Sequence, residues 1–453
     1  MPQIGDLVEV AIEHLGAQGD GIGQLGAALV FVPLALPGER WRVRLAARRG
    51  EGFAAEPLAA LEAAPRASPP CPHFGDCGGC QLQHLPAADY AAWQRATVVQ
   101  ALARRGLADV AVTAPRITPP ASRRRVRLAF ALRCGKVRLG FRVRAGRAVV
   151  DVAACPVARP EILALLPALR ALLAALAMAR DGGELQITAS ESGLDLLLTT
   201  ALAPGLRERE ALAGLAAQHD LARLAWRPAA RAPAEPIAAR RPVRVRFAGV
   251  TVEVPPGAFL QPTGFAEDAI RDAVAEAIAD ARRVADLFAG CGTLGLPLAA
   301  AGRQVLAVDA DADMLAAAQH AARQAGFGER FGVTTRDLER SPLAGTELQA
   351  LDAVILDPPR AGARAQAAAL AAARVPRVAM VSCHPASFAR DARMLVDGGY
   401  RLLRVQPIDA FLWSSQIELV GAFERADRAP RALDLSSPAF YIGAVRSARV
   451  PFV

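Results

Sequence analysis

The chain has 453 residues and a mass of 47.5 kDa, which is room for several domains with cores of their own and too much for a lone peptide-binding module. It is 53% hydrophobic and only 21% charged, which excludes a disordered or low-complexity protein. Basic residues outnumber acidic ones by 53 to 44, giving a net charge of +9 and a pI near 9.8. Every basic residue except Lys136 is an arginine, and a balance of this sign permits a polyanionic partner without naming one.

The opening MPQIGDLVEVAIEH lacks the basic-then-apolar pattern of a secretory signal. The longest apolar stretch, Ile162 to Ala179, is interrupted by Pro167 and Arg170 and reads as a soluble helix rather than a membrane span. A cytoplasmic protein is expected. Residues 4–63 alternate in short apolar runs (DLVEVAI, ALVFVPL, RWRVRLAA) between glycine turns, a pattern that predicts a small β barrel. The proline-rich segment 64–70 reads as a linker, a cysteine cluster follows it, and Ala87 to Arg105 reads as a helix. Between Ser122 and Ala148 lie nine arginines and Lys136 without one acid, on strands whose alternation sets arginines on one face and packing residues on the other. Such a face suits phosphate contact, and a merely solvated arginine face is the plainer alternative. Residues 161–225 read as helix, strand, strand, helix and strand, and a linker starts at Arg227. From Val284 onwards strands and helices alternate as in a doubly wound α/β domain. No internal repeat is present.

Cys71, Cys77 and Cys80 form C-x5-C-x2-C, with glycines that allow the backbone to fold round a bound centre. Cys155, followed by proline, is the candidate fourth ligand. Four thiolates can hold zinc or an iron–sulfur cluster, and the three-plus-one layout favours [4Fe-4S] over the paired spacing typical of zinc. Cys134 reads as a small apolar residue of the central sheet, and Cys291 as a packing residue in a glycine loop.

Val284 to Gly302 (VADLFAGCGTLGLPLAAAG) is a strand, a glycine loop and a helix, and the next strand ends in Asp309, where a ribose diol is expected to bond. Asp337, Asp357 and the run VSCHP stand at three further strand ends. Asp357-Pro358-Pro359 is followed by Arg360 rather than the aromatic residue with which enzymes methylating exocyclic amines hold a base, so the reacting group is sought elsewhere. Cys383, at a strand end before a helix, reads as a nucleophile whose thiolate the helix N-terminus favours. Glu418, one acid on an apolar strand, reads either as solvent-facing or as a base. Together they suit C5 of a pyrimidine: a thiolate adds to C6, C5 takes the methyl group, and a base removes the C5 proton.

With these motifs in this order, DGIG, ALPGE, CPHFGDCGGCQLQH, CPV, FLQPT, DLFAGCGTLGLPLA, VDAD, LDPPRAG, SCHP and QIELV, the chain resembles the bacterial RNA uracil-C5 methyltransferase family over roughly residues 4–425, and within it the cluster-containing branch that acts on 23S rRNA. The resemblance implies an α/β protein with a Rossmann-like class I methyltransferase domain, an N-terminal OB-like TRAM barrel and a central α+β domain carrying an iron–sulfur site. It divides the chain into 1–64 (RNA-binding barrel), 65–100 (cysteine segment), 101–250 (central RNA-binding domain), 251–426 (methyltransferase domain) and 427–453 (an extension in which PAFYIGAV reads as a strand). It further implies that Gln261, Phe288, Thr293, Asp309, Asp337 and Asp357 contact S-adenosylmethionine. Cys383 is then the nucleophile, Glu418 the base, and Cys71, Cys77, Cys80 and Cys155 the ligands of a [4Fe-4S] cluster. The implied partner is RNA, with no DNA and no membrane, and the implied state a monomer. tRNA methylation at the same carbon, or RNA binding with weakened catalysis, are the alternatives. The chain departs from the family pattern at Thr263 and His384, where asparagine is usual, and in FLWSSQIE before the base.

Overall fold

The computed structural model describes residues 2–230 and 232–426. The extension 427–453 and its expected strand lie outside the described residues.

Six strands between Leu7 and Glu62 form one N-terminal sheet. Leu7–Ala11 and His14–Leu15 are consecutive in the chain yet stand at opposite ends of the strand order, so the sheet curls round on itself. The DGIG motif makes this curl possible, because a side chain at Gly21 or Gly23 would run into the carbonyls of Ala35 or Ala11. The alternation read from the sequence is present: Val10, Val30, Val32, Val43 and Leu45 are buried inside, while Arg40, Arg42 and Arg44 point out.

The central unit is a second six-stranded sheet, with the expected order of helix Pro160–Ala175, strands Gly183–Ser190 and Gly193–Thr199, helix Leu206–Gln218 and strand Arg223–Arg227. On Arg125–Arg133 and Lys136–Gly140, Val126, Leu128 and Leu139 are buried against the helices and Arg127, Arg133 and Arg138 are exposed. The arginine run is not one open face, however. Arg142 reaches Glu184 at 3.5 Å, Arg124 pairs with Glu267 and Arg144 with Asp20, so acids from outside the run use part of its charge to tie units together. Cys134 is exposed in the turn between the two strands with φ +49°, not packed in the sheet, because the hairpin reverses there.

The third unit contains seven strands numbered β1 (Arg283–Leu287), β2 (Gln304–Asp309), β3 (Phe331–Thr335), β4 (Ala353–Leu356), β5 (Arg377–Ser382), β6 (Tyr400–Asp409) and β7 (Glu418–Arg425). Their order in the sheet is β3-β2-β1-β4-β5-β7-β6, parallel except for β7, which lies antiparallel to both neighbours. Apolar runs such as AVIL in β4 are buried throughout, as expected of central parallel strands covered on both faces. Two short strands from earlier in the chain, Ala111–Val112 and Arg116–Ile117, extend the sheet beyond β6. Helix Ala87–Ala103 buries Tyr90, Trp93 and Leu102 in the core that also holds residues of β4, β5 and β6. The hairpin Arg244–Phe247 and Val250–Glu253 packs into the same unit from the other side. No helix among the described residues is long and apolar enough to cross a membrane.

Candidate active site

The chain leaves β1 through a glycine loop at the carboxyl edge of the sheet. Phe288 holds φ +64°, costly for a bulky residue by roughly 1–3 kcal/mol. It is retained because its N–H and that of Ala289 both donate to the Val308 carbonyl at 2.8 and 3.2 Å. Asp309, at the tip of β2, accepts from the N–H groups of Gly290 and Asp311, each at 2.9 Å, and so fixes the glycine loop against the start of the next helix. Thr293 is half-buried in that loop, and Asp357 follows β4 on the adjacent strand, its carboxyl raised to about 7 by burial. Asp337 follows β3, exposed, and folds back on the N–H groups of Glu339 and Arg340. Gln261 precedes the helix Gly264–Ile278, and its side-chain oxygen is buried without a hydrogen-bond partner.

Asp286, inside β1, went unassigned in the sequence. It is 1% exposed, and burial with the nearby charges of Asp357 and Asp309 raises it to about 8, opposed by the Gly295 backbone N–H. The signal was an acid within the apolar run VADLF. An unpartnered buried oxygen at Gln261 and a buried carboxyl at Asp286, beside a glycine loop with open space at the Gly290 α-carbon, fit a polar nucleotide-like ligand.

The second half of the site is made by β5 and β7. Their last registered pair is Ser382 with Leu419, so one further step along the antiparallel ladder sets Cys383 opposite Glu418. Glu418 is 5% exposed rather than solvent-facing, and burial and then Asp357 raise its carboxyl to about 8. Cys383 is raised to about 11, first by burial and then by Glu418 and Asp357, with Arg360 opposing. The expected help from the helix N-terminus is outweighed. The N–H of Ser387 in the first turn of Pro385–Asp397 goes to Nδ1 of His384, not to the thiol, and two carboxyls face the sulfur.

Cys383 lies on the wall of a cleft of about 790 Å³. Gln416 and Arg360 line it from the methyltransferase unit, Arg104 and Arg105 from the end of helix Ala87–Ala103, and Arg49 from the N-terminal sheet. Arg49 is held by Asp20 at 2.7 Å and lies over the Phe31 ring, 4.2 Å from its centre. Arginines and an aromatic ring converge on the thiol from three parts of the chain.

The four expected cysteine ligands are also brought together: Cys71, Cys77, Cys80 and Cys155 line one pocket with Arg123 and Phe141. Burial is the main cause that raises the thiols of Cys71, Cys77 and Cys80, the last to about 12, and neighbouring cysteines add to it. Among the described residues, no group of three or more His, Cys, Asp or Glu is arranged to hold a metal ion. Cys291 is buried in the methyltransferase core, as a packing residue should be.

Titration of Glu418 gives a stability test. Its folded pKa lies above the unfolded value, so the stability linked to its proton is present at low pH and is lost as pH rises through about 8. Glutamine does not titrate. Glu418→Gln is expected to match the parent in thermal melting at pH 5 and to exceed it by about 2–4 °C at pH 9, at roughly 1 °C per kcal/mol for a chain this long; equal melting at both values would contradict the buried placement.

The strand order, the glycine loop after β1 and the acid at the tip of β2 define a class I methyltransferase fold. Residues 246–379 match the family described as Conserved hypothetical protein 95. The chain is 40% identical over 418 residues to an uncharacterized RNA methyltransferase of Mesorhizobium japonicum, covering 92% of this chain and 98% of that one. It is 32% identical over 436 residues to the 23S rRNA (uracil(1939)-C(5))-methyltransferase RlmD of Aeromonas salmonicida, covering 92% and 96%. In three dimensions it resembles the tRNA (uracil-54, C5)-methyltransferase of Pyrococcus abyssi solved with S-adenosyl-L-homocysteine, with a TM-score of 0.71 at 21% identity over 92% of this chain and 99% of that one. The chain belongs to the RNA uracil-C5 methyltransferase family.

Proposed function

We infer that this chain transfers a methyl group from S-adenosylmethionine to C5 of a uracil in 23S rRNA, through a covalent adduct between Cys383 and C6. The observation that carries the chemistry is the register of β5 and β7, which sets a cysteine opposite a buried glutamate at the wall of an arginine-lined cleft. The RlmD relative supports the choice of ribosomal RNA.

Gln261, Phe288, Thr293, Asp309, Asp337 and Asp357 are the proposed donor contacts, with Asp286 beneath them. S-adenosylmethionine supplies the methyl group as a cationic sulfonium, a charge that suits a site crowded with carboxyls. Cys383 adds as thiolate to C6 of an unstacked uracil, and the electron pair moves to C5, which takes the methyl group. Glu418, ionised, then accepts the C5 proton, the C5–C6 double bond re-forms and Cys383 leaves as thiolate. The raised carboxyl of Glu418 is matched to taking a proton near neutral pH and giving it up again.

Residues 1–64 are proposed as a TRAM-like barrel that presents Arg49 to RNA, and 101–250 as the central RNA-binding domain. Cys71, Cys77, Cys80 and Cys155 are proposed to hold a [4Fe-4S] cluster. A single zinc requires its sulfurs about 2.3 Å from one point, whereas a cluster spreads its cysteines over several iron atoms. The four cysteines lining one pocket are what support a shared centre there.

Mass spectrometry of 5-methyluridine in separately purified 23S rRNA and tRNA, from a strain lacking the gene and its parent, tests the reading. The expected loss is confined to one 23S fragment. Loss confined to tRNA would transfer the activity to that substrate, and no loss in either would refute a non-redundant methylating role.

A further inference from the structure

The segment Leu412–Gln416, which leads into β7 and its glutamate, is gripped from one side by residues more than three hundred positions earlier in the chain. The N–H groups of Gln81 and Leu82 both donate to the Trp413 carbonyl, at 2.8 and 3.0 Å. The Gln81 side-chain oxygen accepts from the Ser415 N–H at 3.1 Å, while its amide nitrogen donates to the Gly78 carbonyl at 2.7 Å, within the cysteine turn. The Tyr90 hydroxyl accepts from the Trp413 N–H at 2.8 Å and bonds the buried carboxyl of Asp409 at 3.1 Å. Cys80 itself approaches the Leu412 carbonyl, with its sulfur 3.9 Å away.

Trp413 holds φ +61°, a conformation that a bulky residue keeps only where its surroundings over-determine it. Both its N–H and its carbonyl are fixed from this earlier segment, and Ser415 and Gln416, just beyond it, line the cleft beside Cys383. We propose that the cysteine segment is the positioning element for the catalytic base, with Gln81 and Tyr90 as positioning residues that hold the loop before Glu418 in its working conformation. The inference rests on the covalent reading above and assigns this contact a step: release of the adduct, which needs the base, rather than capture of RNA or donor. The centre formed by the cysteines then sits on the same short turn that fixes the base.

The test uses the holoenzyme with radiolabelled RNA substrate and four variants: Gln81→Leu, Gln81→Glu, Tyr90→Phe and, as reference, Glu418→Gln. The readouts are the single-turnover methyl-transfer rate, the decay of the SDS-resistant RNA–protein complex, S-adenosylmethionine affinity, and iron and sulfide content. Gln81→Leu and Tyr90→Phe are expected to slow decay of the complex by about tenfold or more, as loop misplacement does, with methyl transfer, donor affinity and iron content unchanged. Gln81→Glu, which retains the acceptor for Ser415 but loses the donor to Gly78, is expected to decay faster than Gln81→Leu. If Glu418→Gln traps the complex and Gln81→Leu does not, the positioning role is wrong and the covalent reading stands. Slow decay that tracks loss of iron would also overturn it, by assigning the effect to the centre rather than to the contact. Failure of Glu418→Gln to trap any complex would overturn the covalent reading and this inference with it.

Discussion

Glu418→Gln is expected to lower turnover by about 10²–10⁴-fold, the usual worth of a general base, while a covalent RNA–protein complex builds up to the amount of enzyme present. Glutamine occupies the same buried space and cannot accept the C5 proton, so bond formation at C5 proceeds and elimination stalls. The side chain is 5% exposed, which leaves bulk water a poor substitute for the missing base. A denaturing gel of labelled RNA mixed with the variant reads the result directly: a slow-migrating band whose methyl content equals its RNA content. Normal turnover with no such band would remove Glu418 from the reaction.

Cys383→Ala is expected to abolish methylation, a loss of at least about 10⁴-fold on the scale of nucleophile deletions, and to leave S-adenosylmethionine and RNA affinities unchanged. The glycine loop is built on β1 and β2 and the thiol follows β5, so the substitution leaves that loop in place. Combined with Glu418→Gln it should give no covalent band, because the adduct must precede the step that the glutamate serves. Equilibrium binding of both substrates alongside the rate measurement separates this outcome from a folding defect. A methylation rate in Cys383→Ala within tenfold of the parent would exclude the adduct.

Much of this architecture is legible in the sequence because its motifs are local. The glycine loop, Asp309 and Asp357 stand at strand ends that periodicity alone locates, and the helix beginning at Ala87 and the order of elements across 161–225 follow from apolar spacing. What the sequence could not give depends on non-local pairing. Nothing in VADLF says that Asp286 ends fully buried near two further carboxyls, since that requires knowing what packs above the strand. The strands at 111–112 and 116–117 look like linker because two residues carry no readable period, and only pairing with β6 makes them part of the large sheet. The arginine run was legible only in part for a related reason: Asp20 and Glu267, which pair with two of its arginines, lie more than a hundred residues away in the chain. The conformation of the loop FLWSSQ is held in large part by hydrogen bonds from Gln81, Leu82 and Tyr90, which its own sequence does not announce.

The antiparallel strand β7 occupies a slot between two strands that both precede it in the chain. β5 and β6 are therefore joined in the sheet only through residues 418–425. The nucleophile follows the first wall of that slot and the base opens the strand that fills it, so a one-residue slip in that single pairing would turn the base away from the thiol and leave the donor loop on β1 and β2 untouched.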